Sequence, residues 1–262
     1  MVKKKTNPLN KRFLRELKSE AGKYIVLFVF IAGVIALVSG FLVASGSMSQ
    51  AYDESFEKYN IEDGNFEVKR EASSGLLDAL QKDGTKIYPN FYKEEQTKNV
   101  ESTLRIFKKR TEIDLECLME GSFPEDENEI AIDRMYADNN ELKVGDTLKS
   151  QSGKQTWKIT GLVALSDYSC LFQNNNDSMF DSVKFGVSVV TPEEFDTLDQ
   201  DKLQYNYSWI YDEKPKTEKE EKEVSEDLME DMGKIVTLEA FVPRYLNCLL
   251  YTSPSPRDKR QS

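Results

Sequence analysis

From Tyr24 to Ala44 the chain reads YIVLFVFIAGVIALVSGFLVA, 21 residues without a single charge. As a helix rising about 1.5 Å per residue, this run spans about 32 Å, the thickness of a bilayer's hydrocarbon core at about 30 Å. Gly33 and Gly40 weaken a helix in water but are common in lipid. Tyr24 stands at one end, where an amphipathic ring suits the headgroup region. A helix packed on a soluble core shows a polar stripe, and this one has none. The run therefore predicts a transmembrane helix over 24–44. A secretory signal is the alternative, and Ala44-Ser45-Gly46 offers it a small-residue cleavage site. Its apolar region is normally 7–15 residues, shorter than this one, so an uncleaved anchor is the expectation.

Charge is distributed to match. Residues 1–23 hold eight basic side chains against Glu16 and Glu20, a net +6, while the whole chain carries −11. The part beyond the basic head therefore carries −17. Basic flanks stay on the cytoplasmic side, which places the N-terminus inside the plasma membrane and the bulk of the chain outside. Leu9, Phe13, Leu14 and Leu17 recur at helical spacing among Lys11, Arg12, Arg15 and Lys18. Such a segment forms an interfacial helix on anionic lipid, or simply serves as the topogenic flank.

The acidic balance argues against a nucleic-acid partner, because phosphate binding needs a basic surface. The chain has no histidine. That removes histidine-relayed nucleophiles and histidine-ligated metals. No GxxxxGK[ST] run occurs, so no P-loop nucleotide site is expected on this chain. Glu125, Asp126, Glu127 and Glu129 are clustered acids that fit Ca²⁺ or paired-carboxylate work only loosely, and a solvated loop explains them. No catalytic, cofactor-binding or metal residue is assigned, and no enzymatic activity is expected.

Beyond the apolar run, Ser45–Tyr59 is expected to prolong the helix, with Met48, Ala51, Tyr52, Ser55, Phe56 and Tyr59 on one face. Strands are expected at 65–70, 86–95, 103–109, 128–133, 157–163, 184–190 and 207–211, and a helix at 74–82. Met119–Pro124 reads as a turn at a strand end. Gly145-Asp146 and Gly153 read as turns, and Gly161 as a bulge within a strand. Hydrophobic strands between glycine turns argue a tightly wound β element rather than a parallel sheet. Thr191-Pro192-Glu193-Glu194 opens a helix with a cap, a first-turn proline and acids at the positive dipole end. The run 214–232 reads as a solvated charged helix, with Glu218 and Lys222 spaced for an ion pair. Gln173–Ser178 is a polar loop. The fold class expected is α+β: one transmembrane helix, then a mixed domain with a small β-rich part.

The last residues, CLLYTSPSPRDKRQS from Cys248, have no periodicity and resemble translated adapter read-through, so 248–262 is expected to be non-native. That leaves Cys117 and Cys170, which have the option of pairing outside the cell.

The order of these parts resembles the permease subunit of an FtsX/MacB-type ABC transporter. The resemblance rests on a basic head, one span, and the run EGSFP at 120–124, NEIAID at 128–133, LKVGDTL at 142–148 and KITGLV at 158–163. It implies a basic cytoplasmic segment at 1–23, a span at 24–44 and an extracytoplasmic MacB-like core at 45–247. It also implies a separate ABC ATPase as partner, a homodimer or heterodimer of permeases in the bilayer, and export or release of a substrate by mechanotransmission. Phe241-Val242-Pro243 resembles the approach to a second span, so the chain is expected to be cut short before it, near Asn247. A single-span extracytoplasmic sensor or binding module is the alternative. Asn206-Tyr207-Ser208 matches a glycosylation acceptor, which decides nothing here.

Overall fold

The computed structural model describes residues 12, 15, 18–81, 84–98, 100–168, 171–174 and 179–244. The Leu9–Leu17 face, Cys170, the end of the 173–178 loop and everything from Tyr245 on lie outside the described residues.

The chain divides into two units, 1–55 and 56–262. In the first, helix α1 (Ala21–Lys58) is continuous and carries on into the second unit. Its stretch Ala21–Met48 is long and apolar enough to cross a membrane. Its large apolar side chains point outward on every side; Phe28 is 73% and Phe41 74% exposed. By length and composition the stretch suits a membrane span, a property that a signal sequence near an N-terminus shares.

The second unit is a mixed α+β domain with an N-terminal apolar helix before it, the expected class. Its strands are β1 (Gly64–Val68), β2 (Thr85–Pro89), β3 (Tyr92–Gln96), β4 (Thr103–Lys108), β5 (Cys117–Gly121), β6 (Glu129–Asp133), β7 (Thr147–Lys149), β8 (Thr156–Ala164), β9 (Phe185–Val190), β10 (Leu203–Tyr211) and β11 (Leu238–Pro243). Its helices are α2 (Ser74–Gln81), α3 (Arg134–Asn139), α4 (Pro192–Thr197) and α5 (Glu218–Ile235). The strands join in the order β11-β1-β10-β3-β4-β9-β6-β8-β5, with β2 on β10 and β7 on β8.

Two cores form along this path. The larger gathers Leu104, Ile106, Phe107, Ile130, Ile132, Trp157, Val187 and Val189 beneath α3 and α4. The smaller gathers Phe66, Leu80, Tyr207, Trp209, Leu228 and Met232 between β1, β10, α2 and α5. Strand β10 belongs to both halves. Its start pairs with β3 and the rest with β1 and β2.

Several expectations are refined. The strand expected at 86–95 is two strands, because Pro89 has no N–H to donate and Asn90 N–H turns to Asn206 O at 2.9 Å. Phe107, out of phase with Leu104 and Ile106, is buried like them, since β4 is central and covered on both faces. The glycine-punctuated stretch, expected as a tightly wound β element rather than a parallel sheet, is mixed: β5–β8 and β7–β8 are antiparallel and β6–β8 is parallel, and outside it β4–β9 is parallel too. Phe241-Val242-Pro243 lies in β11, paired antiparallel with β1. Helix α5 is amphipathic rather than wholly solvated, burying Ser225, Leu228 and Met232. Its exposed face carries the pairs Lys219–Glu223 and Lys222–Glu226, while the side chain of Glu218 lies outside those described.

The turn chemistry follows the residues. Gly145 and Gly153 take φ of +100° and +71°, a region that favours glycine. The β6–β8 register skips Thr160, so the bulge sits beside Gly161. Thr191 Oγ1 accepts Glu194 N–H at 3.2 Å, with Pro192 in the first turn.

Candidate functional site

The most heavily built polar part of the domain lies where α1 ends. The helix closes in a Schellman arrangement. Asn60 adopts a left-handed φ of +46°, Ile61 N–H reaches back to Phe56 O at 3.0 Å, and Asn60 N–H to Glu57 O at 3.4 Å. Asparagine is among the residues that tolerate that conformation, so the stop is written in the sequence. Two further carbonyls, of Tyr59 and Asn60, accept the N–H groups of Leu115 and Asp114 at 2.8 and 3.0 Å. The 110–116 loop therefore caps the end of the helix. Tyr59 Oη also donates to Cys117 Sγ at 3.0 Å, and Cys117 is a free thiol.

Arg110 organises this loop. Nη1 and Nη2 meet Asp167 Oδ1 and Oδ2 at 2.8 and 2.7 Å, a bidentate pair in which each side chain is 5% exposed. Nη1 also donates to Asp114 O, Nε donates to Asn90 Oδ1, and the backbone N–H of Arg110 donates to Glu116 Oε1, each at 3.0 Å. The guanidinium lies 4.3 Å from the Phe107 ring centroid. Asp114 accepts Glu62 N–H on Oδ1 and the Ser208 hydroxyl on Oδ2, at 2.9 and 3.1 Å. Asn90 Nδ2 completes the ring by donating to Ser208 Oγ at 3.0 Å.

Three acids, Asp114, Glu116 and Asp167, thus act on one guanidinium in a dry setting, with Glu62 beside Asp114. Burial raises the Glu62 carboxyl above its ordinary value, and the charge of Asp167 adds to this. Burial likewise raises Asp114, well above the usual carboxylate range, helped by Glu62 and Asp167. Glu62 Oε2 is buried without a hydrogen-bond partner.

A second arginine grips the same short turn. Arg105, on β4, donates from Nη1 to Tyr168 Oη at 2.8 Å and from Nη2 to Glu94 Oε1 and Gln173 O at 2.6 and 2.8 Å. Its guanidinium stacks 4.1 Å from the Tyr92 ring centroid. Asp167 and Tyr168 are neighbours in sequence, so the 166–168 turn is held by Arg110 and Arg105 at once. Where the chain leaves the sheet, Arg244 N–H bonds Asp63 O at 2.9 Å and Arg244 Nη1 lies 2.9 Å from Asp63 Oδ1.

Most polar groups of this arrangement bond to one another, Glu62 Oε2 being an exception, and the described residues contain no group of acids, cysteines or histidines placed to hold a metal ion. The acids at 125–129 make a local turn: Glu129 Oε2 accepts the N–H groups of Glu125 and Asp126 at 3.0 and 3.3 Å. Sequence reasoning marked Tyr59 and Phe56 as the end of a helical extension and missed Arg105, Arg110 and Asp167. The available signal was Arg105 inside the apolar strand TLRIFKK, an unusual place for a charge without a partner.

No protein-family model matches the sequence, and no curated protein gives a significant match. Among the solved structures similar to this chain are extracytoplasmic domains of ABC-type transporters. One is the extracellular domain of the noncanonic ABC-type transporter YknZ from Gram-positive bacteria. It is 13% identical, with 68% of this chain and 97% of that chain covered, at a TM-score of 0.36. Another is the periplasmic region of MacB from Actinobacillus actinomycetemcomitans. It is 10% identical, with 73% of this chain and 93% of that chain covered, at a TM-score of 0.37.

Proposed function

We propose that this chain is the membrane-anchored part of an FtsX/MacB-type ABC transporter permease, with its N-terminus in the cytoplasm and the Phe56–Arg244 domain outside. The observation that carries the reading is the unbroken helix Ala21–Lys58, apolar enough to span lipid over Ala21–Met48. The ordered run EGSFP, NEIAID, LKVGDTL and KITGLV across residues 120–163 supports it. So does the charge step from a basic head to an acidic body, which favours this orientation.

In this reading the chain itself performs no bond chemistry. A separate ATPase supplies the work, and two permeases pair in the bilayer. Residues 45–58 are helical throughout and transmit displacement because a helix resists bending along its hydrogen-bond ladder. The outer domain then moves a substrate on the extracytoplasmic side.

The test is made in the assembled transporter, with its ATPase and in lipid. Met48→Pro removes an interior helical hydrogen bond and kinks α1. It should leave expression unchanged and abolish substrate-dependent stimulation of ATP hydrolysis. Normal coupling in that variant rejects the lever. Failure of any ATPase to co-purify with the chain rejects the permease and favours the sensor. Protease shaving of intact cells with a tag at each end checks the orientation: only the outer domain should be cut.

A further inference from the structure

Two stretches of backbone come together at one corner of the domain: the incoming Phe56–Asp63 segment and the outgoing strand β11 with Arg244. They are far apart in sequence, and β1 lies beside β11 in the sheet. Strand β1, which follows Asp63 directly, pairs with β11 from Gly64–Pro243 to Val68–Leu238. Upstream of that ladder Arg244 N–H bonds Asp63 O at 2.9 Å, while Asp63 N–H goes to Trp209 O on β10 at 2.8 Å.

The side chain of Arg244 adds contacts to three points of the incoming segment. Its guanidinium stacks 4.8 Å from the Phe56 ring centroid. Nη1 reaches Glu62 O at 3.4 Å. Nη1 also lies 2.9 Å from Asp63 Oδ1, whose side chain is 1% exposed. That last contact is an ion pair without an aligned N–H, since Oδ1 has no hydrogen-bond donor of its own. Asp63 spends its other oxygen on Tyr211 N–H at 3.0 Å, which fixes the carboxylate to β10. Lys214 Nζ makes a longer ion pair with Asp63 Oδ1 at 4.0 Å, from a half-exposed side chain. Glu221, on α5, lies 3.7 Å from Nη2 and adds a second acid facing the same guanidinium.

We propose that Arg244 is the side-chain fastening that extends the β1–β11 pairing to the incoming segment, so that β11 and residues 56–63 move as one body. The guanidinium suits this task because one planar group stacks on Phe56 and meets an acid and a carbonyl at its edge. The mechanical value of the fastening rests on the permease reading. With the incoming segment locked to β11, a displacement carried by α1 reaches β11 as well, instead of being lost in a loose corner.

The experiment is amide hydrogen exchange on the full chain in lipid nanodiscs, without ATPase or substrate. In Arg244→Ala, exchange should rise roughly tenfold or more at Ile61, Asp63 and the β11 amides, because a buried charge loses its partner. Exchange at Ile130–Ile132 in the other core should not change. Arg244→Lys keeps the charge without the planar fork and should fall between the two. Faster exchange in β11 alone, with the incoming segment as in wild type, overturns the proposal. So does no change in either. If Arg244→Ala unfolds the whole domain, Asp63→Asn serves in its place, since it can keep the Tyr211 bond; it should loosen the same two segments, and wild-type exchange in it overturns the proposal. Because nothing here depends on transport, a failed fastening and a failed permease reading are told apart.

Discussion

Arg110 and Asp167 face each other with both guanidinium nitrogens on both carboxylate oxygens, at 2.8 and 2.7 Å, inside a part of the domain closed to water. They come from the loop after β4 and the 166–168 turn, 57 residues apart. Nothing local brings them together, so their pairing reports that the whole sheet is assembled.

Removing one partner strands the other in a dry site. Asp167→Ala should cost about 3–5 kcal/mol of domain stability, the usual penalty for an uncompensated buried charge. Urea denaturation followed by tryptophan fluorescence measures it through Trp157 and Trp209, both fully buried. A loss under about 1 kcal/mol means that water reaches Arg110.

The acids around Arg110 predict a pH dependence. Burial raises Glu62, Asp114 and Glu116 above their ordinary values in the folded domain. A raised carboxyl contributes stability that is complete below its ordinary pKa and is lost as pH rises through the folded value. The domain should therefore be more stable at mildly acidic pH than at pH 8. Glu62→Gln carries no charge to bury, so it should flatten this slope and raise the stability at pH 8. Urea midpoints at several pH values decide the matter; a wild-type midpoint that climbs steadily toward pH 8 contradicts it.

Gly186 lies against the ring of Tyr136, so that any Cβ at this position overlaps the ring. Tyr136 cannot step aside, being wholly buried and tied by its hydroxyl to Ser102 Oγ at 2.6 Å. Gly186→Ala should destabilise the domain by about 1–3 kcal/mol through overpacking, lowering Tm by roughly 5 °C for a domain of this size. Gly186→Ala combined with Tyr136→Leu should recover part of the loss, since it removes the clashing ring. A thermal melt of each variant tests both statements.

Much of the local structure was legible in the chain. The apolar helix followed from 21 uncharged residues, the α4 start from Thr191-Pro192, and the turns at 145 and 153 from glycine. These features depend on backbone preference and on residues near in sequence, which is where such signals reside. The candidate site was not legible in the same way. Arg110, Asp114 and Asp167 look like ordinary surface charges, Arg105 alone stands out inside an apolar strand, and Arg244 adjoins a stretch that resembled the approach to a second span.

The sequence by itself determined that a long apolar helix precedes an acidic α+β domain, because hydrophobic length and charge sign are carried residue by residue. Tertiary structure alone decided which strands run parallel, which charges leave water, and that Asp63 meets Arg244. Those outcomes require segments 181 positions apart, as Asp63 and Arg244 are, to be brought within hydrogen-bond reach, and no local preference encodes a distance of that kind.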